Sequence, residues 1–124
     1  MRGVDTVQEL SGTPVLVCAP EGAPLDGERA ALDLIGDMWG RGAAWAALPA
    51  ERLGAGFFDL ANGVAGGVVQ RLANYRLGLA VVGAVPVEAG AGSAAAAFVR
   101  EADRGAQLWF VADLVELGRR LARG

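Results

Sequence analysis

The stretch FFDLANGVAGGVVQRLANYRLGLAVVG, residues 57–83, contains the change of period that decides the fold. Val64, Val68, Leu72 and Tyr75 recur at intervals of three or four residues, which places them on one face of a helix. From Leu77 onward the run LGLAVVGAVP (77–86) is apolar at every alternate position on both sides. A strand of that kind has to be covered on both faces. A helix leading straight into a doubly buried strand is one half of a β-α-β unit, so the spacing predicts a mostly parallel sheet with helical crossovers.

The same reading extends in both directions. Downstream, Ser93 can cap the helix AAAAFVREADRG, which ends at Gly105, and AQLWFVAD (106–113) follows as an apolar strand. Asp113 opens a last helix with Leu114, Leu117 and Leu121 on one face. Upstream, AAWAALP (43–49) reads as a short buried strand closed by Pro49. The segment ERAALDLIGDMWG (28–40) has Ala31, Leu34, Ile35 and Met38 at helical spacing, with Asp26 as its expected N-cap and Gly40 near its end. Residues 5–9 and 14–19 flank Ser11-Gly12-Thr13, the signal of an antiparallel hairpin. The expectation is a single α/β domain over residues 1–124, with an N-terminal β-hairpin, a mostly parallel sheet and four helices.

Composition limits the function classes. With 124 residues, 53% hydrophobic and 20% charged, the chain has the balance of one globular domain. Its formal net charge of −3, with no histidine and arginine as the only basic side chain, offers no basic face for a phosphate backbone, so no nucleic-acid partner is expected. Cys18 stands alone, which excludes a disulfide framework or a thiolate metal cluster within the chain. The alternating polar start MRGVDTVQEL is unlike a signal peptide, and no run approaches the roughly 18 apolar residues of a membrane span. A cytoplasmic location without a membrane partner is expected.

The order of elements resembles the STAS fold, the small α/β domain of bacterial anti-sigma-factor antagonists. LDLIG at 32–36, the run 57–83, and the pattern Phe-Val-x-Glu-x-x-Arg-Gly from Phe98 to Gly105 resemble an uncharacterised bacterial family, domain of unknown function 4180. That similarity extends over nearly the whole chain after about residue 12 and implies no known activity. The family pattern implies Ala-Gly-Glu where this chain has Ala65-Gly66-Gly67. The STAS resemblance implies a phosphorylatable serine or threonine at the start of the second helix. The chain holds only Ser11, Ser93, Thr6 and Thr13, none within 57–76, so a regulatory role is expected to be constitutive or ligand-driven.

Helix starts gather at the carboxyl ends of parallel strands, where free backbone N–H groups favour anions and ligands. The loop from Asp59 through Asn62 and Gly63, continuing to Gly66 and Gly67, is expected there. Its spacing matches neither dinucleotide nor P-loop fingerprints. Two readings stay open: a ligand or partner site, or Asn62 as an N-cap with glycines that let the helix approach the sheet or another subunit closely. Gln70, Asn74, Tyr75 and Arg76 extend a polar face toward the helix end, and Arg76 or Arg104 is expected to pair with Glu101 or Asp103.

Without histidine or lysine, Ser-His-Asp, Cys-His and Schiff-base chemistry are excluded. Carboxylate acid–base chemistry at Asp59 or Glu101 is what remains. No catalytic residue, metal ligand or cofactor is assigned. The sequence is read as a non-catalytic regulatory module that binds a protein partner or small molecule through the 59–67 loop and second helix, a homodimer being one form of partner. The alternative is a small enzyme or accessory protein of a biosynthetic or detoxifying pathway, with an apolar pocket and one carboxylate as acid or base.

Overall fold

A computed structural model describes residues 4–53, 56–59, 62–85 and 94–123. Strands β1 (Thr6–Leu10) and β2 (Thr13–Val17) pair antiparallel, with Gln8 opposite Val15, around a two-residue turn. Ser11 and Gly12 both have positive φ, as a tight hairpin of matching twist requires. Helix α1 (Glu28–Arg41), strand β3 (Trp45–Pro49) and a short 3₁₀ turn (Ala50–Arg52) follow. Then come α2 (Val64–Asn74), β4 (Gly78–Val82), α3 (Ala94–Arg104), β5 (Leu108–Val111) and α4 (Leu114–Ala122).

The sheet runs β1-β2-β3-β4-β5 in chain order, and every pair after the first is parallel. Crossovers of one hand that always step the same way must put their helices on the same face. Accordingly, Ile35 and Met38 of α1, Val68 and Leu72 of α2, and Phe98 and Ala102 of α3 share one apolar cluster with Leu16, Leu48, Leu79, Val81 and Leu108 of the sheet. The other face carries Val15, Ala47, Ala80 and Val111, covered by Leu114, Leu117 and Leu121 of α4. Neighbours along β4 thus point into different clusters, which explains a strand apolar throughout. The element order is compatible with the STAS resemblance, with three helices on one face and one on the other.

A nine-residue helix covers little of a five-stranded sheet, and two tryptophans widen the cover. Trp45 and Trp109 lie with ring centroids 4.1 Å apart. Trp45 rests directly on the backbone of Gly78, where an added Cβ would lie 2.3 Å from ring carbon Cε2. Trp109 donates its indole N–H to the Gly105 carbonyl at 2.7 Å, and the Arg120 guanidinium sits 4.3 Å above its ring centroid. Arg120 in turn meets the Asp103 carboxylate at 2.7 Å, and the same carboxylate accepts the Phe110 backbone N–H at 2.8 Å.

Helix ends partly differ from expectation. Asp113 does cap α4, accepting the Glu116 N–H at 2.9 Å, while Glu116 reaches back to the Ala112 N–H at 2.7 Å. Asp26 is not the cap of α1. That position belongs to Gly27, with extended backbone and no side-chain cap bond, and the helix runs past Gly40 to close at Gly42. The expected Ser93 cap lies outside the described residues. Among the described residues no helix is long and apolar enough to cross a membrane.

Candidate functional site

Helix α2 buries Ala65, Val68 and Leu72, packs Val64 and Val69 partly against the same core, and turns Gly66, Gly67, Gln70, Ala73 and Asn74 outward. Residues 63, 67, 70 and 74 follow helical spacing, so Gly63, Gly67, Gln70 and Asn74 form one outer stripe. That stripe and Asn62 line a groove of about 550 Å³ between α2 and α1, closed on the far side by Glu28 and Ala31. The Gln70 amide donates to the Asn74 side-chain oxygen at 3.0 Å, and Arg71 bridges to Glu28 across the groove. Five of the residues expected from sequence, Asn62, Gly63, Gly67, Gln70 and Asn74, therefore meet in one place.

Asn62 is fixed at both ends of its amide. Its Nδ2 donates to the Gly56 carbonyl at 2.8 Å, and its Oδ1 accepts the Val64 N–H at 2.9 Å. It ties the preceding loop to the start of α2, although the N-cap position itself is Gly63, at φ 77. The glycines do not serve close approach to the sheet. A Cβ built at Gly63, Gly66 or Gly67 meets nothing within 4 Å. Gly66 is exposed beside the groove rather than in it.

The other expected residues lie apart from the groove. Tyr75, at the end of α2, packs edge-on against Trp39, with centroids 5.9 Å apart and both rings substantially exposed. Arg76 has positive φ and takes no part in the ion pairs found among the described residues. Arg104 does pair with Glu101, but at 3.8 Å with both side chains more than 70% exposed, a contact that contributes little. Asp103 pairs with Arg120 instead of Arg76 or Arg104. Asp59 lies in the loop ahead of α2, and neither it nor Glu101 lines the groove.

A second cavity, of about 450 Å³, has no counterpart in the sequence expectations. It opens between α1 and the loop that follows β2, with Cys18, Leu25, Ala30, Leu34 and Leu48 as its apolar floor. Asp5, Asp26, Asp33, Asp37, Arg29 and Arg52 complete the wall. Burial, reinforced by the Asp5 charge, pushes the Cys18 thiol up from 9.0 to about 11. Desolvation disfavours the thiolate, so Cys18 is an inert part of the floor. Asp33 and Asp37, four residues apart on α1, were a visible signal of a charged stripe. The loop opposite them was not. Among the described residues no three potential ligands converge to hold a metal.

These features define a small α/β domain whose three-helix face presents one amide-lined groove and one acid-rimmed cavity. The chain belongs to the family described as Domain of unknown function (DUF4180), whose model matches residues 10–121. No curated protein and no solved structure matches it.

Proposed function

We propose that this domain is a non-catalytic, cytoplasmic binding module that recognises a protein partner, a second copy of itself included, through the exposed face of α2 and the loop before it. One observation carries the reading: Gly66 and Gly67, inside α2, face open space, with nothing within 4 Å of a Cβ. A glycine inside a helix costs roughly 0.5–1 kcal/mol relative to alanine. No contact with the described residues offsets that cost at Gly66 or Gly67. A partner backbone lying close against the bare helix would, and Asn62, Gln70 and Asn74 line the adjoining groove with donors and acceptors for it. Asp59 and Glu101, the carboxylates an acid–base enzyme would use, line neither cavity, which favours binding over catalysis.

The test is native mass spectrometry of the tagged chain purified from its own cells, alongside Gly66→Leu. The leucine has room in the folded monomer, so circular dichroism and thermal unfolding should stay native. A co-purifying polypeptide or second copy should be present with the original chain and lost from the variant. A complex that survives Gly66→Leu, or a chain that is always a bare monomer, sinks the reading.

A further inference from the structure

The geometry points to the cavity between α1 and the β2–α1 loop as a binding site for a small organic cation, an amine attached to an apolar body. This inference is independent of the α2 surface. The cavity has the size and character of a ligand pocket: about 450 Å³, floored by Cys18, Leu25, Ala30, Leu34 and Leu48. It also lies outside the carboxyl ends of β2 and β3, where open α/β sheets hold their ligands.

Its wall is preformed. Leu25 bridges to Leu53, with the Leu25 N–H donating to the Arg52 carbonyl at 2.7 Å. The Arg52 guanidinium lies against Gly22 and donates to the carbonyls of Ala19 and Ala23 at 3.1 and 3.0 Å. The Asp5 carboxylate accepts the Ala19 N–H at 2.8 Å. A loop tied at so many points does not have to be ordered by its ligand, which removes one cost of binding.

Charge selects the ligand. The wall carries four carboxylates and two guanidiniums. Asp5 and Arg52 are already engaged in holding the loop, which leaves Asp26, Asp33 and Asp37 against Arg29. No ion pair among the described residues neutralises those three aspartates. Asp33 and Asp37 stand at i and i+4, a spacing at which like charges destabilise a helix. A cation seated above the apolar floor relieves that repulsion, whereas an anion adds to it.

The test uses phenethylamine as probe, with phenethyl alcohol and phenylacetate as its neutral and anionic counterparts, each titrated against the full chain and followed by two-dimensional amide NMR. The amine should shift resonances of Cys18, Leu25, Ala30 and Leu34 and bind at least about tenfold more tightly than the alcohol, with no binding by phenylacetate. In Asp33→Asn/Asp37→Asn, two exposed changes that leave the spectrum folded, the preference for the amine over the alcohol should vanish. Equal binding of all three probes, no binding by the amine, or an amine preference that persists in the double variant would each overturn the assignment.

Discussion

Replacing Gly66 and Gly67 together by alanine should make the protein more stable. Both glycines are in α2, both are exposed, and neither leaves a Cβ anything to strike within 4 Å. Each alanine restricts the unfolded chain and favours the helix, by about 0.5–1 kcal/mol at an unstrained site. The two positions are the third and fourth of the helix, where propensity counts for somewhat less than at its centre. The pair should contribute about 1–1.5 kcal/mol, a rise of roughly 4–6 °C in Tm for a chain of this size. Differential scanning calorimetry and urea unfolding of the single and double variants would measure it, with additive shifts expected because each methyl points into open space. An unchanged or lowered Tm would refute the reasoning, because it would mean that the glycines already fit something within the fold.

Gly78→Ala should act in the opposite sense. Its Cβ would lie 2.3 Å from Trp45 Cε2, so the ring must lift away from Trp109, at a cost of about 2–4 kcal/mol in chemical unfolding; in a Trp45→Ala background the same change should cost under about 1 kcal/mol. Cys18 should make stability fall in alkali. Its thiol stays protonated in the folded state up to about 11 and ionises near 9.0 once unfolded, so the contribution is complete below pH 9 and is lost as pH rises to 11. Relative to Cys18→Ala, the original chain should lose about 2–3 kcal/mol across that window, read from urea midpoints at each pH. A constant difference between the two would show that the thiol titrates normally.

The sheet was legible because alternation and helical spacing are local. Val64, Val68 and Leu72 reveal the inward face of α2 without knowledge of the partner, and the doubly apolar run at 77–86 reveals a covered strand. The outer stripe of Gly63, Gly67, Gln70 and Asn74 was legible for the same reason. Its opposite wall was not: Glu28 reaches Arg71 from 43 positions away, and no spacing rule links the two. The glycines misled because a residue without a side chain carries no burial signal. Gly78 is pressed under a tryptophan while Gly66 faces open space, yet both read alike. The acid-rimmed cavity depends on Arg52 holding a loop 29 and 33 positions earlier, a tertiary fact absent from local pattern. Asp26 was a sound cap candidate by type, but α1 begins two residues beyond it, after an extended Gly27.

Asp103 has a consequence for how the protein behaves in a crowded solution. β5 is the last strand of the sheet, and its outward backbone amides are a template on which another chain can add a strand. The Asp103 carboxylate occupies one of those amides, at Phe110, and Arg120 holds the carboxylate in place. An incoming strand would have to displace a charged acceptor and break its ion pair before it could pair with the Phe110 amide in the middle of the strand. The edge is therefore guarded by a salt bridge rather than by sheer distance, and Asp103→Ala should open it to aggregation, seen as rising light scatter at concentrations where the original chain stays clear.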